Sequence, residues 1–134
     1  MKAWVRDRYG APGALELKDV TMPVAEGSEV LVRLRAASLN QADLDYLYGR
    51  PMLTRMGTGF RRPRNRGLGL DAAGVVEAVG GGVTRVKPGD HVVLNWAPAC
   101  GTCFYCQHDQ PNLCETFTGP IWAGTMLNGT PRLV

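Results

Sequence analysis

Apolar and polar residues alternate with a period of two in several short stretches of the chain, and turn-forming residues separate them. Lys2–Arg6 is the first stretch, and residues 15–20 (Leu-Glu-Leu-Lys-Asp-Val) alternate in the same way. Pro23 and Glu26-Gly27-Ser28 then turn the chain into residues 29–36, whose apolar positions Val30, Val32, Leu34 and Ala36 share one face. Side chains on a pleated backbone point to alternate faces, so this period predicts half-buried strands. One segment alone predicts helix, Gln41–Tyr48. Asn40 precedes it as a candidate N-cap, Asp43 lies in the first turn where the helix dipole favours an anion, and Gly49 ends it. Residues 73–79 predict a glycine-interrupted strand, Gly80-Gly81-Gly82 a turn, and residues 91–96 a last strand. Lys87-Pro88-Gly89-Asp90 places proline and glycine where the centre of a type II turn wants them.

Strands this short, separated by turns rather than long helices, point to a mainly β fold, a small antiparallel barrel or sandwich, and away from a doubly wound sheet. The 134 residues allow one compact core and exclude a complete two-domain dehydrogenase. With 45% hydrophobic and 20% charged residues the composition is that of a globular chain. No run of eighteen apolar residues exists, and Lys2, Arg6 and Asp7 interrupt any signal-peptide core, so a soluble, cytoplasmic protein with no membrane partner is expected.

The net charge of +3 is too small to imply nucleic acid by itself, but its distribution is uneven. Arg50, Arg55, Arg61, Arg62, Arg64 and Arg66 crowd a segment without acids. Phe60 is its only aromatic residue and no helical pattern presents the arginines together, so residues 50–66 read as a mobile, solvated loop rather than a phosphate-binding patch.

The strongest signal is C-x2-C-x2-C-x7-C, formed by Cys100, Cys103, Cys106 and Cys114. Four thiolates so spaced can wrap one zinc ion tetrahedrally, and a closed set of four leaves no position for water or substrate, so the site is expected to be structural. Two disulfides are the first rival, disfavoured by clustering and the lack of a secretory signal. An iron-sulfur cluster prefers a tighter last spacing and a Cys-Pro, where this chain has Cys114-Glu115. Unligated core cysteines fit such a turn-rich stretch worst. His91 and His108 fall outside the spacing and read as ordinary polar residues. Gly67-Leu68-Gly69-Leu70-Asp71-Ala72 matches a dinucleotide fingerprint formally, yet arginines precede it and Gly74 breaks the segment after it, so the match is set aside.

Taken together, Tyr9-Gly10, Glu29-Val30-Leu31-Val32-Arg33, the run from Gly69-Leu70-Asp71 to Val79-Gly80, Val86-Lys87-Pro88-Gly89-Asp90-His91-Val92 and the four cysteines resemble a known family. It is the N-terminal GroES-like catalytic domain of the medium-chain dehydrogenase/reductase superfamily, the zinc alcohol dehydrogenases and quinone reductases. The resemblance implies a GroES-like, partly open β-barrel over residues 1–134, incomplete at its C-terminus, with a short helix and a zinc lobe at 98–116. It implies structural zinc, NAD(P) in a complete enzyme, a missing or separate nucleotide-binding domain, and a small carbonyl, quinone or alcohol substrate. A barrel that normally packs against such a domain is expected to expose apolar surface around Phe117, Ile121, Trp122 and Leu133 and to self-associate.

The departures from the family pattern carry as much information. In the zinc branch a cysteine and a Gly-His-Glu motif supply catalytic zinc ligands; the matching positions here are Asn40 and Gly69-Leu70-Asp71, and Ala42 stands at the proton-relay position. These features resemble the zinc-independent quinone and enone reductases, in which Asn40 would face substrate or nicotinamide. A plain helix cap is the other reading of Asn40, and Asp43 and Asp71 read as structural acids. A zinc-stabilised binding module using residues 50–66 for an anionic partner is the alternative to an oxidoreductase.

Overall fold

The computed structural model describes residues 1–123 together with Thr125, Met126 and Gly129. Strands β1 (Lys2–Arg6) and β2 (Leu15–Asp19) pair antiparallel, with Trp4 opposite Leu17 and Val5 opposite Glu16. A single 3-10 turn, Pro12–Ala14, joins them, and Pro12 at its start supplies a φ already suited to helical geometry. A second sheet, in the order β3-β4-β5, is built from β3 (Val30–Ser38), β4 (Asp71–Val79) and β5 (His91–Val93), all antiparallel. Val30 faces Val79 at one end of the β3–β4 ladder and Ser38 faces Asp71 at the other. The architecture is thus two antiparallel sheets with short helices, with no closed barrel among the described residues.

Helix α1 (Gln41–Tyr48) forms where the sequence places it, and Gly49 ends it in the left-handed region at φ 63°. Its Leu47 is buried, as are Val5, Ala14 and Val76 elsewhere in the chain. Arg6 is buried as well, and its guanidinium donates to the Tyr46 carbonyl. Burial pulls the Arg6 pKa below its ordinary value against the opposing influence of Tyr9 and Tyr46. The Arg6 guanidinium lies 5.3 Å from the centroid of the Tyr9 ring and that of Arg55 4.4 Å from it, two cation–π contacts on one ring.

Several elements differ from the sequence pattern. Residues 50–66, read as a mobile solvated loop, contain helix α2 (Thr54–Thr58) and are pinned to the body. The Tyr9 hydroxyl donates to the Gly59 carbonyl at 2.6 Å and lies 2.9 Å from the buried Thr58 hydroxyl, while Arg66 pairs with Asp7 at 2.6 Å. The last strand stops at Val93 instead of residue 96, because Asn95 accepts the Ala97 N–H at 3.0 Å and folds the backbone into a side-chain-closed turn. β3 runs from Val30 to Ser38, β4 starts at Asp71, and β2 ends at Asp19. Helices α3 (Phe104–Gln107) and α4 (Glu115–Ala123) were not foreseen; α4 carries Gly119-Pro120, a pair that reads as a helix breaker.

The apolar face expected on β3 is only partly covered: Leu34 is 50% exposed, since β3 is an edge strand and its register shifts between Leu34 and Ala36. Of the apolar residues expected at the surface, Phe117 and Ile121 are half-buried on α4, and the Trp122 side chain and Leu133 lie outside the described residues. Exposed apolar side chains instead include Leu39, Leu53, Met56 and Val93. No described helix is long and apolar enough to cross a membrane.

At Gly49 a Cβ would stand 2.6 Å from Arg55 Nε and 2.7 Å from Tyr9 Cδ1. An L-residue in this left-handed conformation costs ~1–2 kcal/mol before any clash. Gly49→Ala is therefore expected to lower the unfolding free energy by at least ~1 kcal/mol in urea titration, with m unchanged.

Candidate functional site

Two places collect the residues that the sequence marks for chemistry. In the first, the chain leaves β5, turns at Gly101 (φ 76°), and enters α3 with Cys103 immediately before it and Cys106 within it. A 3-10 turn at Pro111–Leu113 brings the chain back, so that Cys114 arrives just ahead of α4. The four sulfurs lie within 4.8 Å of one another, and the Cys100–Cys106 and Cys103–Cys114 pairs are both 3.9 Å apart. A tetrahedron with arms of 2.3 Å has edges of about 3.8 Å, so the donor set fits a zinc ion in both chemistry and spacing.

Donors turned onto the sulfurs favour their ionised form. Cys100 Sγ accepts the Cys103 N–H at 3.2 Å, the Thr102 N–H at 3.4 Å and the Thr102 hydroxyl at 3.5 Å, while Cys114 Sγ accepts the Cys100 N–H at 3.3 Å. The Thr102 and Thr116 hydroxyls, followed by the backbone donors, bring the Cys100 thiol down to about 5. At Cys106 burial dominates and pushes the thiol up to about 11. At Cys114 burial pushes upward, but the Cys100 and Phe117 N–H groups outweigh it and the net shift is downward. Thr102 and Thr116 were missed in the sequence, where their one signal is adjacency to the cysteines. His108 keeps to itself, stacked on Phe104 at 4.1 Å with Nδ1 2.7 Å from the Phe104 carbonyl.

The second place is the corner where β3 runs into α1. Asn40 Oδ1 accepts the Ala42 N–H at 2.8 Å and the Asp43 N–H at 3.2 Å, and the Asp43 carboxylate accepts the Asn40 N–H at 2.9 Å. This reciprocal arrangement satisfies donors that a helix start leaves without partners. Asn40 Nδ2 then donates to Asp71 Oδ2 at 2.7 Å, and the Ser38 hydroxyl donates to the same oxygen at 3.0 Å. The link between Asn40 and Asp71 joins two residues that the sequence singled out separately, and the strand register is what brings them together. A metal does not fit here. Leu70 and Ala42 offer no donor atom, and the Asn40 oxygen is already engaged by two N–H groups.

The strand pairs among the described residues are all antiparallel, so they do not form the crevice at the ends of parallel strands that usually cradles a dinucleotide. Gly69-Leu70-Asp71 leads into β4 rather than a helix, as its flanking residues implied.

Residues 26–130 match the family model described as the alcohol dehydrogenase GroES-like domain. The chain is 39% identical over 131 residues to the NDMA-dependent alcohol dehydrogenase of Amycolatopsis methanolica, covering 98% of this chain and 32% of that protein. The crystal structure of an NAD-dependent alcohol dehydrogenase matches with a TM-score of 0.68 and 40% identity, over 86% of this chain and 32% of that one. An alcohol dehydrogenase zinc-binding domain protein from Burkholderia ambifaria matches with a TM-score of 0.77 and 32% identity, over 98% of this chain and 32% of that one. The chain thus spans about a third of the length of these relatives. Short antiparallel strands, a capped helix at the end of β3, a four-cysteine lobe after β5 and a family match over most of the sequence lead to one assignment: the chain belongs to the alcohol dehydrogenase GroES-like domain family.

Proposed function

We propose that the chain is the catalytic-domain portion of an NAD(P)-dependent oxidoreductase of the alcohol dehydrogenase or quinone reductase type, with one structural zinc held by Cys100, Cys103, Cys106 and Cys114. The four-sulfur cluster, set at tetrahedral spacing within a domain of this family, carries the reading. When bound, zinc would supply a cross-link and no open coordination position, so its role is to fix the lobe. Reduced thiols fit a cytoplasmic setting. The redox chemistry belongs to the nicotinamide, and this chain's part is to receive and orient the substrate beside it. Asn40 supports that role by carrying one amide hydrogen beyond those it uses on its neighbours. The same residue argues for reduction of a quinone or conjugated enone over oxidation of a simple alcohol. An alcohol must be stabilised as its alkoxide, which a metal does by lowering a pKa. Hydride addition to an enone creates an enolate oxygen, which an N–H can stabilise directly.

The protein purified under reducing conditions is expected to contain about one zinc per chain by metal analysis. Cys106→Ser should lose it and loosen residues 98–116 in hydrogen exchange while the β3–β4 ladder stays protected. Two disulfides by mass spectrometry would overturn the lobe assignment.

Zinc uptake at pH 7 is expected to release at least one proton per chain, read with a pH indicator. Cys106, raised to about 11, holds its proton at that pH and must give it up to bind, while Cys100, lowered to about 5, has none to give. Zinc retention should accordingly weaken as the pH falls.

Joined to its nucleotide-binding domain, the chain is expected to support NAD(P)H-dependent reduction of quinones or enones and to oxidise ethanol poorly. Robust ethanol oxidation that is lost on chelation, with the four-cysteine zinc still in place, would contradict the reading of Asn40 and Leu70 as non-ligands.

A further inference from the structure

The corner between β3 and α1 disagrees with the metal site that the zinc branch of the family builds at these positions, and the disagreement has a definite form. We propose that the Asn40–Asp71 hydrogen bond takes the mechanical place of a second metal ion. It ties the start of α1 to the start of β4 and leaves Asn40 able only to donate to a ligand. Asp71 is in this sense a positioning residue.

The argument rests on counting donors and acceptors. An asparagine side chain has an oxygen with two lone pairs and a nitrogen with two hydrogens. Both lone pairs of Asn40 Oδ1 are taken, by the Ala42 N–H at 2.8 Å and the Asp43 N–H at 3.2 Å. One Nδ2 hydrogen is taken by Asp71 Oδ2 at 2.7 Å. Rotating the amide by half a turn would set its NH2 against two N–H groups and its oxygen against a carboxylate, so the orientation is fixed by three contacts at once. A single N–H remains. The Asp71 oxygen is loaded in turn, since Ser38, its partner across the ladder, donates to it at 3.0 Å.

Two ligands of one metal aim lone pairs at a common point, whereas here one residue gives a hydrogen to the other. The cross-strand distance that a metal would span is closed directly by a charge-assisted hydrogen bond. The ligand that Asn40 can engage is therefore an acceptor oxygen, such as that of a carbonyl, a quinone or a developing enolate; a metal cation finds no lone pair on Asn40 to bind. The inference deepens the reading under Proposed function. The two fail separately, because zinc in the cysteine lobe is measured independently of this corner.

The test is a double-mutant cycle on the zinc-loaded chain. Asn40→Ser keeps a good N-cap but is too short to reach Asp71. Asp71→Ala is expected to reduce the folding equilibrium constant about fivefold more in the Asn40 chain than in the Asn40→Ser chain, where only the Ser38 hydrogen bond is lost. Asp71→Asn retains an acceptor oxygen and should recover most of the loss. Equal effects of Asp71→Ala in both backgrounds would overturn the tie. Should a variant fail to fold, the parent chain decides by NMR: one Asn40 Nδ2 hydrogen protected from exchange supports the proposal, and two equally labile hydrogens overturn it. Metal analysis of the parent chain in excess zinc is expected to find no second zinc at this corner. A second zinc that Asp71→Ala removes, with the cysteine-bound zinc unchanged, would also overturn it.

Discussion

Gly74 lies in the middle of β4 where any Cβ would run into the Arg33 carbonyl oxygen and stand 2.8 Å from Val32 Cγ1. The close approach of β3 and β4 therefore depends on a residue with no side chain, and the longest ladder of the protein is built across that point. Val76, two residues on, is buried. A second glycine does the same at the far end, where a Cβ on Gly80 would meet the Glu26 and Gly27 backbone. With both contacts allowed the strands approach closely, and beyond the register shift between Leu34 and Ala36 Ser38 comes to lie opposite Asp71. The corner that holds Asn40 thus lies across that shift from Gly74.

The helices are joined to the first sheet by a different kind of contact. The Tyr9 ring receives two guanidinium groups, Arg6 from β1 and Arg55 from α2, and its hydroxyl reaches the end of α2 at Thr58 and Gly59. Arg55 also donates to the Gly49 carbonyl at 2.9 Å, closing a circuit from strand to ring to helix end. The buried aliphatic core is small, so this polar seam contributes much of what locates α1 and α2. An aromatic face suits the task, because it attracts cations without adding a formal negative charge.

Much of this was legible in the sequence because it rests on local rules. The period-two runs marked β1, all of β2 with one residue beyond it, most of β3 and the core of β4, and the cap and stop residues marked α1 with its observed bounds. Proline and glycine at 88 and 89 gave the turn before β5, where Gly89 adopts φ 96° and the Asp90 N–H reaches the Lys87 carbonyl. What escaped depends on contacts distant in sequence. α2 lies in an arginine-rich stretch with no apolar period, and Tyr9, nearly fifty residues away, holds it in place. α4 contains Gly119-Pro120 and so contradicts its own propensity, yet its start is pinned by Cys114 and its end by Asn65, which donates to the Ala123 carbonyl at 2.8 Å. The Asn40–Asp71 bond was hidden for the same reason: each residue is meaningful alone, but only strand register makes them neighbours.

The cysteine spacing also couples the lobe to a helix. Cys100, Cys103 and Cys106 are separated by steps of three residues, and Cys114 by a step of eight. Because Glu115 begins α4 directly after Cys114, whatever holds the fourth sulfur beside the other three also fixes where α4 starts.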